Sequence, residues 1–355
     1  MGFELPVATI TGDNPICQGT TKTYTTQTGM TNYDWTVVNG TIQAGGDGFN
    51  FVTIFWDIVG TKSLTVNYIN ANGCAAATAG GIVATSEVAV PTFTSGVAVA
   101  CQNSGGHVYT TEAGNTDYQW TVTGGTITSG TGTNSIMVTW NTAGPQKVRI
   151  NYTNSSGCSA INPSEYDVTV NPLPTINVTP ASPAICIGTS TNLTASGAST
   201  YVWSPATGLS ATTGATVTAS PIITTIYSVT GTDGNGCVNT KAVTVTVNAL
   251  PTISVTPSSP AICIGLSTSL TASGASTYVW SPATGLSATT GTTVTASPTG
   301  TTTYTVTGTD ANGCINTRTV TVTVNPLPTI NVSPAAPAIC AGLNTSLTAS
   351  GATTY

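Results

Sequence analysis

Charge is scarce in this sequence. Of 355 residues only 6 are Lys or Arg and 12 are Asp or Glu, a net charge of -6. Too few cations are present to displace counterions from phosphates, which excludes nucleic-acid binding, and an anionic membrane surface has nothing to attract. Histidine is scarcer still. His107 is the single one, so Ser-His-Asp triads, His-ligated zinc and His general-base chemistry would all have to pass through it, and no Cys or carboxylate pattern surrounds it. No apolar run approaches the roughly 18 residues that cross a bilayer, so no membrane insertion is expected. Met1-Gly2-Phe3-Glu4 carries no basic or apolar signal region. The expectation is therefore a fragment whose signal was removed or lies elsewhere.

Aromatic residues make up 6% of the chain, against 39% hydrophobic. That balance is too apolar for disorder, and its β-branched Thr and Val favour strands over helices. Glycosidase chemistry needs two facing carboxylates. The stretches 173–249 and 250–326 hold one acid each, Asp233 and Asp310, and no Glu. No catalytic residue, metal ligand or cofactor is assigned, and the chain is not read as an enzyme. Asp233-Gly234-Asn235-Gly236 has the look of part of a calcium loop, but one carboxylate per turn falls short of a calcium site and a plain turn is expected. Asp13, Asp34, Asp47 and Asp57 make the first stretch more acidic without ligand spacing.

What the sequence has in abundance is repetition. Leu173-Pro174-Thr175-Ile176 returns at Leu250-Pro251-Thr252-Ile253 and at Leu327-Pro328-Thr329-Ile330, a period of 77, and 173–249 and 250–326 are about four fifths identical. The third copy stops at Tyr355, the position of Tyr201 and Tyr278, so a chain cut inside a domain is expected. Two longer units fill the first half. Each complete unit has an early cysteine, a central Tyr-x-Trp and a late Gly-Cys. The early and late cysteines are Cys17 and Cys74, Cys101 and Cys158, Cys186 and Cys237, and Cys263 and Cys314; Cys340 opens the truncated unit. The expected domains are 6–90, 91–172, 173–249 and 250–326, with 327–355 as the start of a fifth holding at most two strands.

Val243-Thr244-Val245-Thr246-Val247 and Val320-Thr321-Val322-Thr323-Val324 alternate with period two, the mark of a half-buried antiparallel strand. Turn signals, Asn72-Gly73 among them, recur every 8–12 residues or so, as in a β-sandwich. The expected fold is all-β: tandem immunoglobulin-like antiparallel sandwiches in a linear array. Trp35, Trp120, Trp203 and Trp280 are expected in the cores, Trp56 and Trp140 in the core or between the sheets. Tyr227 and Tyr304, ten residues before the late cysteine, are candidate tyrosine corners that Leu64 and Val148 do not supply. Thr rows that keep a face wet without charge are ordinary strand surface rather than an ice-binding face.

Cys-x-Gly, Tyr-x-Trp, Asn-Gly-Cys and Val-Thr-Val-Thr-Val, in that order, resemble the PKD-like and Ig-like repeats of giant surface proteins of gliding bacteria that use type IX secretion. The second unit departs from this, with Cys101-Gln102-Asn103 and Ser156-Gly157-Cys158. Gly40-Thr41-Ile42 and Gly125-Thr126-Ile127 make the first two units similar to the PKD-like variety, and the 77-residue units resemble the Ig-like one. The resemblance implies a stalk segment of an extracellular adhesin, such as a gliding-motility adhesin, whose partners are neighbouring repeats, surface polysaccharide or other cell-surface proteins. The alternative is a carbohydrate-binding or spacer module of a secreted enzyme.

Nine regularly spaced cysteines without C-x-x-C read as a disulfide framework of an oxidising compartment. Pairing within each unit is expected: Cys17–Cys74, Cys101–Cys158, Cys186–Cys237 and Cys263–Cys314, with Cys340 unpaired. Such bridges would limit how far each domain extends when forced open. Constant spacing does not prove this pairing. In a simple immunoglobulin topology the two positions lie at opposite ends of a sandwich, so either the first cysteine sits on a diverted segment or the bridges run between units. The serial alternative is Cys74–Cys101, Cys158–Cys186, Cys237–Cys263 and Cys314–Cys340, with Cys17 left over. Short Pro-containing joints such as Val170-Asn171-Pro172-Leu173-Pro174 should be semi-rigid and give a rod of about 150 Å.

Overall fold

The computed structural model describes residues 2, 4–12, 16–84 and 88–354. Asp13 and Tyr355 lie outside the described residues. Every regular element among them is a β-strand, and no helix is long and apolar enough to cross a membrane. The chain divides into two compact units, Met1–Thr175 with Thr232–Asn239, and Ile176–Gly231 with Thr240–Tyr355.

Two sheets face each other around each of four apolar clusters. In the third sandwich one sheet runs Asn177–Thr179, Thr191–Ser196, Thr216–Ala219, and the other Ala184–Cys186, Val238–Asn248, Thr225–Thr232, Thr200–Ser204. The fourth repeats this order one sequence period later. The second has Thr116–Val122, Gly144–Thr153, Ser164–Asn171 and Val99–Cys101 over Gly125–Ser129, Ser135–Trp140 and His107–Thr110. In the first, Thr11–Gly12, Thr20–Thr25, Phe51–Trp56 and Thr41–Gly45 oppose Thr31–Val38, Lys62–Ile69 and Gly80–Ala84. This is immunoglobulin topology. In the second to fourth sandwiches a short early strand that ends on the first cysteine lies parallel to the final strand.

The period-two reading holds residue by residue. Val243 and Val245, like Val320 and Val322, point inward and are buried, while the intervening Thr side chains face out. On the outer faces opposed Thr hydroxyls hydrogen-bond across strands, Thr194 to Thr216 and Thr271 to Thr293 at 3.1 Å each, which keeps a chargeless surface wetted and paired. Trp35, Trp120, Trp203 and Trp280 are all buried. Each indole N–H donates to a backbone carbonyl at 2.8–2.9 Å, on Phe49, Thr133, Gly214 and Gly291, so burial leaves none of these four donors unmatched. Trp56 and Trp140 are completely buried in the first two cores. The Tyr227 and Tyr304 hydroxyls donate at 2.8 Å to the Thr207 and Thr284 carbonyls, twenty residues upstream rather than in the turn before their own strand, so they tie the core to a loop without forming tyrosine corners.

In the last stretch Asn331–Ser333 pairs with Thr348–Ser350. The register is that of Asn177–Thr179 with Thr194–Ser196 in the third sandwich.

Candidate functional site: the cysteine bridges

The structure joins Cys17 to Cys158, Cys101 to Cys237 and Cys186 to Cys314, with Cα–Cα distances of 5.4, 5.5 and 5.5 Å. Cys74, Cys263 and Cys340 are free thiols. The expected pairing within each unit is therefore wrong, as is the serial alternative. Cys74 and Cys263, both expected in bridges, have none. Each bridge links the first cysteine of one sandwich to the second cysteine of the next.

Strand geometry rules out a bridge within one sandwich. In the third sandwich Cys237 sits immediately before the strand Val238–Asn248, and Cys186 is paired with Asn248 at that strand's far end. Eleven residues of strand put the two cysteines ~36 Å apart. A bridge needs Cα atoms within about 7 Å. The fourth sandwich is built the same way, with Cys314 before Ile315–Asn325 and Cys263 opposite Asn325. Loop entropy does not choose the pairing. Going from a loop of about 50 residues to one of about 130 changes closure by only ~0.8 kcal/mol, so the ends of the strands decide.

Each half of a bridge has its own local device. After the first cysteine the chain turns at the second residue on: Gly19, Gly188 and Gly265 have φ of 78°, 85° and 87°. Asn103 occupies that place in the second sandwich with φ 61°. Asn is among the few side chains that tolerate this left-handed conformation, which explains how Cys101-Gln102-Asn103 departs from Cys-x-Gly without losing the turn. The carbonyl of the cysteine is then capped by the next residue's hydroxyl, from Thr20 at 2.6 Å and Thr189 at 2.8 Å. In the second sandwich Ser104 caps Cys101, and its hydroxyl also lies 2.7 Å from His107 Nε2. The lone histidine thus braces a turn.

The second cysteine follows a hairpin turn of the form Asx-x-x-Gly-Cys. The side-chain oxygen of Asn70, Asn154, Asp233 or Asp310 accepts the amide of Cys74, Cys158, Cys237 or Cys314 at 3.0, 3.0, 2.8 and 2.8 Å. The same oxygens of Asp233 and Asp310 also accept the amides of Asn235 and Asn312. These aspartates position cysteines. Among the described residues no group of three or more metal-ligating side chains comes together. The positioning role was readable in principle, because an Asn or Asp stands four residues before the late cysteine in every complete unit. Cys158, Cys237 and Cys314 are fully buried in their bridges, whereas Cys74, in the same place on the first sandwich, is half-buried and free.

The family model of the PKD-like domain matches residues 4–82 and 87–168. The first two sandwiches are tandem PKD-like domains, continued by two immunoglobulin-like ones. Among curated proteins no match to this sequence was found. Similar solved structures include the N-terminal eight Ig domains of Down Syndrome Cell Adhesion Molecule, isoform 1.30.30, at 14% identity and TM-score 0.31, covering 91% of this chain and 48% of that one. Domains 1–6 of the surface layer protein SbsC align at 14% identity and TM-score 0.23, over 92% and 56%. The Bacteroides ovatus mixed-linkage glucan utilization locus protein SGBP-B, in complex with a mixed-linkage heptasaccharide, aligns at 14% and TM-score 0.20, over 70% and 72%. The chain spans about half the length of the first of these. The tandem PKD-like and Ig-like sandwiches and their bridges fit an extracellular module.

Proposed function

We propose that this chain is a non-catalytic stalk segment of a large secreted bacterial adhesin, which holds a distal binding region away from the cell surface, as in gliding motility. The observation that carries the reading is the bridging pattern: three disulfides, each tying one sandwich to its successor. A binding module concentrates its exposed aromatics or charges at one loop cluster. Here the large rings Trp56, Trp140, Trp203 and Trp280 are buried in cores. Bridges of this kind persist in an oxidising compartment, which supports an extracellular location. Neighbouring repeats are the first partners; surface polysaccharide or surface proteins belong to the distal region.

The test uses the organism that makes the protein. Antibodies against residues 173–326 should label intact cells. In-frame deletion of one 77-residue repeat should weaken attachment under flow and leave static attachment unchanged. Loss of static attachment, or binding of the purified chain to polysaccharide, would instead make the sandwiches themselves the binding modules. Labelling confined to permeabilised cells would contradict the reading.

A further inference from the structure

The three bridges interleave. Cys101 lies inside the loop closed by Cys17–Cys158 and its partner Cys237 outside it, and Cys186–Cys314 is threaded into the Cys101–Cys237 loop in the same manner. A covalent shortcut therefore runs through the array. From Cys17 a pulling force crosses to Cys158, follows the backbone only as far as Cys186, and crosses to Cys314. The two crossings skip sequence separations of 141 and 128, so of all the backbone between Cys17 and Cys314 only the stretch 158–186 carries load. Routes through Cys101–Cys237 are longer. The shorter of them retraces the backbone from Cys158 to Cys101 and again from Cys237 to Cys186.

We infer that the shifted pairing makes the four sandwiches a length-limited tether in which residues 158–186 are the load-bearing strap. This rests on the stalk reading for its biological use but not for its mechanics. The strap contains the last strand of the second sandwich, Ser164–Asn171, the joint Pro172-Leu173-Pro174, and the first strands of the third, Asn177–Thr179 and Ala184–Cys186. Residues 18–157 and 187–313 are off the load path. Their unfolding adds nothing to the end-to-end length once the strap is taut. Bridges within each sandwich would behave differently. They would leave 74–101, 158–186 and 237–263 all in the path between Cys17 and Cys314, about three times the backbone of the strap, so that every joint added its own slack.

Single-molecule stretching of the full chain from its two ends measures this, with thiol-independent handles. In the bridged protein the path comprises residues 1–17, 158–186 and 314–355, or about 85 steps, and the extension limit is ~290 Å at about 3.4 Å per residue. Reduced protein should reach ~1,200 Å, a roughly fourfold increase. Cys17→Ser with Cys158→Ser diverts the path through Cys101–Cys237, out along 17–101 and back along 186–237, and raises the limit to ~650 Å. Cys186→Ser with Cys314→Ser does nearly the same. Cys101→Ser with Cys237→Ser leaves ~290 Å unchanged, because that bridge is off the shortest path. All four oxidised proteins should show three alkylatable thiols. A higher count marks a variant that has not bridged, and the wild-type limit before and after reduction then decides alone. An oxidised limit of ~470 Å (bridges within sandwiches) or ~840 Å (the serial scheme) would overturn the inference. So would a lengthened limit in the fully bridged Cys101→Ser, Cys237→Ser protein. A failed tether would leave the surface-labelling and flow results standing, and a protein found off the cell surface would leave these lengths unaffected.

Discussion

Beside the Tyr-x-Trp indole that all four share, the first two sandwiches and the next two place their second large core ring on different strands. In the PKD-like pair Trp56 and Trp140 end a strand of one sheet and meet Tyr24 and Tyr109 edge-on, at centroid distances of 6.2 and 6.1 Å, while Leu64 and Val148 fill the opposite sheet. In the 77-residue pair the ring moves across the core: Tyr227 and Tyr304 stand where Leu64 and Val148 do, ten residues before the late cysteine, and the facing strand offers Ala219 and Ala296. Yet the ends are alike. All four keep the left-handed residue after the first cysteine and the Asx side chain on the amide of the second. Two core solutions thus serve one connecting device, so the ends rather than the core define this array.

The largest effect should come from the cores. Trp140→Ala should destabilise the second sandwich by ~3–5 kcal/mol, and Trp203→Ala the third by as much. Hydrogen exchange resolved by domain would show it, and a loss confined to the mutated sandwich is expected. Tyr304→Phe should cost the fourth sandwich ~1–2 kcal/mol by stranding the Thr284 carbonyl, a cost with no counterpart at Val148.

At the ends, Asp233→Ala should cost ~1 kcal/mol and slow closure of Cys101–Cys237, while Asp233→Asn should be nearly silent, because Asn70 and Asn154 already fill this role. Gly188→Ala should likewise cost ~1 kcal/mol at φ 85°, whereas Asn103→Gly should change stability by no more than a few tenths. Refolding with timed alkylation reads both. Equal costs of Asp233→Ala and Asp233→Asn, or of Gly188→Ala and Asn103→Gly, would break the equivalence of the ends.

The smallest effect separates the first sandwich from the second. Thr111 and Glu112 clamp Thr92 as Thr26 and Gln27 clamp Thr9. Burial pushes the Glu112 carboxyl up, but hydrogen bonds from Thr111 and Thr92 outweigh it and hold the pKa at about 2. A carboxylate lowered in the fold stabilises it above the unfolded pKa of about 4.3, and that contribution is lost as pH falls through 2. The protection of the Thr111 amide, relative to its intrinsic exchange rate at each pH, should therefore fall on acidification more than that of Thr26, and Glu112→Gln should narrow the difference.

Much of this was legible. Val243-Thr244-Val245 and its copies announced the strand and its buried face, and Tyr-x-Trp announced the core rings, because burial alternates with sequence in a strand. The pairing was not legible, since any scheme in a repeat array has constant spacing. The clue lay in strand length: Cys186 and Cys237 occupy opposite ends of one strand's span, which rules out their bond but does not say which neighbour comes to each end. That depends on how one sandwich's final strand meets the next one's hairpin turn, a tertiary contact between segments 128 to 141 residues apart.

The most direct test of the account is peptide mapping of the unreduced protein after alkylation under denaturing conditions. The bridged structure should yield a peptide pair joining Cys101 to Cys237, with label on Cys74, Cys263 and Cys340. A pair joining Cys101 to Cys158, or Cys237 to Cys263, would contradict it.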